Sequence, residues 1–154
     1  MAGSSVTVTV SPHIQMVGHG GVGEVLISLA CLSDDTDGSI PDQDLGATQN
    51  LAGLKAYTLT EIITDPDATA YPTTAYRVKV IEKATSRRLF RGSARSAAGV
   101  SQAQSAHEDL GYFPSVDNTL TVKFLADDGD TEAAADVGNE KIVTVKLRFT
   151  KRDK

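Results

Sequence analysis

Short runs of valine, isoleucine and threonine recur along the chain, and their alternation predicts strands. From Ser5 to Ser11, Val6, Val8 and Val10 alternate with Thr7 and Thr9, the period of two that gives a strand one dry face and one wet face. Gly23 to Leu32 is more continuously apolar and ends at Asp34-Asp35-Thr36-Asp37-Gly38, which predicts a buried strand running into a turn. Leu54 to Thr64 predicts a strand with Tyr57, Leu59 and Ile63 on one face, stopped by Asp65-Pro66. Ala75 to Ala84 sets Tyr76, Val78 and Val80 against Arg77, Lys79 and Ile81, and Thr85 to Arg88 turns into a short strand around Leu89 and Phe90.

The pattern sharpens toward the C-terminus. Asn118 to Ala126 places Leu120, Val122 and Phe124 opposite Thr121 and Lys123, and Lys141 to Thr150 places Val143, Val145, Leu147 and Phe149 opposite Ile142, Thr144, Lys146 and Arg148. Between the runs lie Asp- and Gly-rich turns and two small-residue stretches, Ser93 to Ala106 and Glu132 to Asp136. The first accommodates either a turn or two of helix or a long structured loop, since Gly99 and the serines weaken a helix. Strands without long amphipathic helices between them predict an all-β chain, an antiparallel β-sandwich or barrel of about six to eight strands. The expected organisation is a single β domain over residues 1–154, with residues 1–20 as an extended N-terminal arm and a long small-residue loop.

Composition narrows the class. A chain of 154 residues, 40% hydrophobic and 23% charged, is long enough for a full core and too apolar for a disordered polyelectrolyte. No run reaches the roughly 18 apolar residues of a membrane span, so no membrane partner is expected. The start MAGSSVTVTV lacks a basic segment followed by an apolar one, so export by a signal peptide is not expected. One cysteine, Cys31, supports neither an internal disulfide nor a cysteine-based metal cage and fits a reducing compartment.

The net charge of -5 argues against nucleic acid as a partner, because phosphate contacts require a concentrated basic footprint. Its distribution is in blocks. Residues 1–60 carry Lys55 against Glu24, Asp34, Asp35, Asp37, Asp42 and Asp44, whereas residues 76–95 carry Arg77, Lys79, Lys83, Arg87, Arg88, Arg91 and Arg95 against Glu82. Asp127, Asp128, Asp130, Glu132, Asp136 and Glu140 then precede Lys141, Lys146, Arg148, Lys151, Arg152 and Lys154. Such blocks either form complementary patches between molecules or solvate ordinary strand faces.

Reactive chemistry finds little support. Gly18-His19-Gly20-Gly21-Val22-Gly23 satisfies G-x-G-x-x-G, but a dinucleotide site needs a strand before it and a helix after it, so a flexible loop or hinge is the preferred reading and no cofactor is expected. Asp34 to Gly38 and Asp127-Asp128-Gly129-Asp130 read as turns rather than calcium loops, since neither supplies the twelve-residue loop with its terminal glutamate. His13, His19 and His107 have no ligand spacing with one another, so no metal is expected, and Cys31 in its apolar run reads as packing. No Gly-x-Ser-x-Gly elbow is present, and eight tyrosines and phenylalanines with no tryptophan suit a glycosidase cleft poorly. The expectation is no catalytic residue and no enzyme.

Two segments stand out as partner-binding candidates. Arg87, Arg88, Arg91 and Arg95 around Phe90 suit an acidic protein surface, because the guanidinium fork matches carboxylates. Val6, Val8 and Val10 form a strand able to add to a neighbour's sheet edge, as an arm exchanged between copies.

The segment LKAYTLTEIITDPDATAYPTTAYRVKVIE, residues 54–82, resembles small β-rich virion structural proteins of tailed bacteriophages: a strand, then T-D-P-x-x-T-A-x-P-T-x-x-Y, then an alternating strand. The similar layout continues through Leu89 to Gly92, the Ser/Ala/Gln-rich loop, Asn118 to Val122 and the last strand to Phe149, leaving the first 50 residues unmatched. It departs at Lys83-Ala84-Thr85-Ser86-Arg87-Arg88, where an acidic Asp-Gly turn belongs to the pattern. The resemblance implies a non-enzymatic virion component made in the bacterial host cytoplasm. Its most specific form is a capsid decoration protein, a homo-oligomer with a trimer favoured, bound to the major capsid protein and stabilising the shell. A head-to-tail connector or tail component is the alternative, and a particle-displayed carbohydrate- or receptor-binding module is the second.

Overall fold

The computed structural model describes residues 3–13, 24–45, 57–92, 99–106, 110, 114–116, 119–126 and 134–151. Among them are nine strands: β1 (Ser5–His13), β2 (Glu24–Leu32), β3 (Gln43–Leu45), β4 (Tyr57–Pro66), β5 (Tyr76–Glu82), β6 (Arg88–Phe90), β7 (Gln102–Ser105), β8 (Leu120–Ala126) and β9 (Ile142–Lys151). They form two sheets, one ordered β1-β2-β9-β4-β7 and the other β3-β8-β5-β6. Every ladder is antiparallel. The all-β sandwich expected from the alternation is therefore the fold observed.

The ladders reveal how the chain is wired. β2 pairs with β9, β3 with β8, β4 with β7 and β5 with β6, so the chain from β2 onward is folded in half at the β5–β6 hairpin. Two further ladders, β4 with β9 and β5 with β8, roll that long hairpin into two facing four-stranded sheets. This is the connectivity of an eight-stranded jelly roll. β1 is a ninth strand laid on the outer side of β2 over nine residue pairs, Ser5 with Leu32 through His13 with Glu24.

The alternating positions meet between the sheets. Ile27, Leu29 and Cys31 of β2, Leu59 and Ile62 of β4, and Val143, Val145, Leu147 and Phe149 of β9 share one buried cluster with Tyr76, Val78 and Val80 of β5, Leu89 and Phe90 of β6, and Leu120, Val122 and Phe124 of β8. Burial of each large side chain contributes roughly 1.5–3 kcal/mol. Val6 and Val8 of β1 are half-buried and pack against this cluster from its edge.

Four details differ from the sequence reading, each for a local reason. β4 runs through Asp65-Pro66, where the sequence predicts a stop, because β7 pairs with β4 only as far as Thr64 and leaves the Pro66 end at an edge that needs no N–H donor. The register of β4 against β9 shifts between Leu59 and Glu61, so the inward series is Leu59, Ile62 and Thr64, and Ile63 is turned outward. A bulge inserts one residue and moves all later side chains to the opposite face. Gln102–Ser105, expected as loop or helix, is strand β7, and Gln43–Leu45 is strand β3. Both lie at sheet edges, where ladder hydrogen bonds hold a strand whose side chains carry no alternation.

The acidic turn after β2 has the chemistry the sequence implied. The Asp34 carboxylate accepts hydrogen bonds from the backbone N–H groups of Thr36 at 2.8 Å and Asp37 at 3.3 Å, and that of Asp37 accepts one from Ser39 at 2.9 Å. These bonds hold the Asp34 carboxyl below the ordinary carboxylate value. Gly38 closes the turn at φ 67°, and its carbonyl accepts a hydrogen bond from Val137 N–H at 3.0 Å. Gly18 to Gly23, His19, Arg95, His107 and Asp127 to Asp130 lie outside the described residues.

Candidate interaction surface

The β5–β6 hairpin carries the basic block, and much of that block holds the hairpin together. Glu82 is buried and ion-pairs with Arg87 Nε, and Arg87 Nη2 donates to the carbonyl of Ser115 at 2.6 Å. On β5, Arg77 Nη1 donates to the carbonyl of Gly92 at 2.7 Å, clamping the chain where it leaves β6. The turn at 83–86 is closed by Ser86 N–H to Glu82 O at 2.8 Å and Glu82 N–H to Arg87 O at 2.9 Å. Ser86 takes the left-handed backbone, φ 57°, that the Asp-Gly turn of the resembling pattern would assign to glycine.

The predicted arginine and phenylalanine patch is therefore divided. Phe90 is a correction: it is fully buried in the core and presents nothing to a partner, because its position on β6 shares a register with inward Val80. Arg87 faces Glu82, with its guanidinium partly solvated. Arg88 is exposed and Arg91 half-buried.

β1 also departs from the expected presentation of its valines. Val6 and Val8 face the sandwich interior, opposite Cys31 and Leu29, while Ser5, Thr7 and Thr9 are exposed on the other face. Val10 pairs with Ile27 by register. What β1 offers a neighbour is its backbone edge and its hydroxyl-bearing face.

Opposite charges meet across strands, and in two of the pairs, Arg148 with Glu24 and Lys83 with Asp44, they come from separate sequence blocks. Lys146 lies 3.6 Å from Asp65, and Arg148 reaches Glu61 at 3.0 Å through Nη1 and Glu24 at 2.9 Å through Nε, the latter an ion pair out of line for a hydrogen bond. On the other sheet Lys83 pairs with Asp44 at 2.5 Å and Lys123 with Asp42 at 3.8 Å. Thr121 Oγ1 also donates to Asp44 at 2.8 Å, and these bonds, that from Lys83 foremost, hold the Asp44 carboxyl below its ordinary value. Asp42, Asp44, Ile81, Lys83, Thr121 and Lys123 line a polar cleft of about 660 Å³. Blocks of opposite sign thus meet in part within one molecule, as exposed pairs that contribute little to stability.

Three large apolar side chains are exposed among the described residues: Tyr71, Val100 and Ile142. Their segments converge at one end of the sandwich. Ile142 N–H donates to the Ala70 carbonyl at 2.7 Å, and Gly99 packs so closely on Tyr71 that an added Cβ would lie 3.1 Å from the ring. Sequence reading missed this cluster, although Ile142 carried a signal: it is an isoleucine on the wet face of the most regular strand.

The described interior is filled by side chains. Tyr76, Phe90, Phe124 and Phe149 are fully buried between the sheets. Burial pushes the Cys31 thiol up to about 12, so it is neutral and poorly nucleophilic. No helix among the described residues is long and apolar enough to cross a membrane.

No family model and no curated protein matches the chain. Among solved structures, the Tobacco streak virus coat protein is aligned over 84% of this chain and 88% of that chain, at 8% identity and a TM-score of 0.29. The jelly-roll assignment rests on the strand pairing itself.

Proposed function

We propose that this chain is a non-enzymatic structural protein of a tailed-bacteriophage virion. Its specific role is that of a capsid decoration protein, binding the major capsid protein as a homo-oligomer and stabilising the assembled shell. The observation that carries the reading is the jelly roll folded in half from β2 to β9, an architecture shared by capsid and lectin domains, with its interior filled by Tyr76, Phe90, Phe124 and Phe149. A roll whose inside is packed with side chains acts through its outside. The likeness of residues 54–150 to small phage virion proteins adds the particle.

Contact area is the working principle. The apolar end formed by Tyr71, Val100 and Ile142 is the surface assigned to the shell, since clustered exposed apolar groups gain most from being covered. Stabilisation follows by mass action, because a protein that binds the assembled lattice more tightly than free subunits shifts the equilibrium toward assembly. The test is co-sedimentation of the purified chain with emptied, assembled shells and with unassembled capsid subunits. Saturable binding to shells, weakened by Tyr71→Ala and Val100→Ser, supports the reading; no binding to shells overturns it.

A further inference from the structure

The four sheet edges are unequal. β7, β3 and β6 are four, three and three residues long, whereas β1 runs for nine. Short edges are one means by which sheet proteins avoid pairing with other chains, together with charges, proline and bulges. β1 carries one of these, Pro12, near its end, but none between Ser5 and Ser11: that seven-residue segment has no charge and no proline, and its register with β2 is unbroken. Among the described residues no strand lies on its outer side.

The sequence of this edge is a palindrome. Ser5-Val6-Thr7-Val8-Thr9-Val10-Ser11 reads the same in both directions about Val8. In an antiparallel pair related by a two-fold axis at Val8, Ser5 faces Ser11 of the second copy, Val6 faces Val10, Thr7 faces Thr9 and Val8 faces its own counterpart. Each facing sum is even, so parity is kept. The inward valines Val6 and Val8 meet valine positions, and exposed Thr7 and Thr9 meet threonines. Facing β-branched and hydroxyl pairs of this kind stabilise sheets, and an isologous contact needs this self-complementarity.

We propose that β1 pairs with β1 of a second copy about a two-fold axis at Val8, fusing the two five-stranded sheets into one of ten strands. The inference deepens the self-association in the proposed function and requires no capsid. It makes the contact two-fold, in place of the trimer expected from the resemblance.

The test is sedimentation equilibrium of the full chain over a range of concentrations, with two double variants. In Thr7→Lys/Thr9→Lys the new charges face like charges across the axis; in Thr7→Lys/Thr9→Glu they face opposite charges only in this register. Both positions are exposed, and a retained cooperative thermal transition verifies folding. The expected result is a dimer for the parent, loss of the dimer in the first variant and its recovery in the second. A parent that is monomeric or trimeric, a first variant that remains dimeric, or a second variant that fails to recover overturns the pairing. Shell binding is measured separately on the same proteins. A dimer that ignores shells sinks the capsid role alone, and a shell-binding monomer sinks this inference and the self-association while leaving the capsid role standing.

Discussion

Arg87 neutralises Glu82 from the far side of the β5–β6 turn: its Nε meets a carboxylate that is 2% exposed, while its Nη2 holds the Ser115 carbonyl at 2.6 Å. One side chain thus joins the hairpin at which the chain folds in half to the segment that precedes β8. A residue of the candidate partner patch is also a structural clasp.

Arg87→Ala leaves Glu82 buried without this cation and releases the Ser115 carbonyl. Removing one partner of a buried pair costs about 3–5 kcal/mol, and the partial solvation of Arg87 points to the lower part of that range. Urea denaturation at neutral pH measures the loss. Arg87→Lys keeps the charge but not the forked geometry, and its loss is expected to be smaller.

Gly38→Ala is expected to destabilise by more than about 1 kcal/mol, because φ 67° is strained for an L side chain and the space is occupied. The added Cβ would run into Asp136 Oδ1 and lie 3.0 Å from the backbone N and C of Gly138. Thermal unfolding followed by circular dichroism shows the lowered Tm.

Asp67 gives a pH signature. Its carboxylate accepts from Ala70 N–H and Thr69 N–H, both at 2.8 Å, and from Thr69 Oγ1 at 3.0 Å. These bonds hold it below the ordinary value of 3.8, the Ala70 bond contributing most. A depressed folded pKa gives stability that is complete above the unfolded value and is lost as pH falls through the folded one. Asp67→Ala therefore lowers Tm at pH 7, and its gap from the parent narrows as the pH drops below the ordinary carboxylate range. A gap independent of pH would contradict this.

Cys31 supplies a probe of the closed interior. With its thiol pushed up to about 12 by burial, it is expected to resist a thiol reagent at pH 8 in the native protein and to react promptly in denaturant. Fast native reaction would mean that the sandwich opens at β2.

Strands with strict alternation were legible in the sequence because burial on one face is a local property. The inward and outward positions of β5 and β9 follow the reading, whereas on β8 Leu120, Val122 and Phe124 are buried as read but Thr121 and Leu125 on the opposite face are buried too. β3 and β7 were not legible, since edge strands are fixed by partners far along the chain: Gln43 meets Val122 and Gln104 meets Ile62. The turn of Ile62 into the core was hidden for a related reason, as a bulge leaves no mark on composition. On the candidate surface, the basic block was visible but its use was not. Only the fold brings Arg87 to Glu82 and Ser115, and only the register shows that β1 turns its valines inward.

The central claim, the proposal that the chain works as a repeated part of a viral shell, is tested most directly by counting it in purified particles of the virus to which that proposal assigns it. Quantitative mass spectrometry against the major capsid protein is expected to find hundreds of copies per particle, in a fixed ratio to that protein. Copies limited to a single ring would move the protein to the connector or tail, and its absence from purified particles would contradict the account.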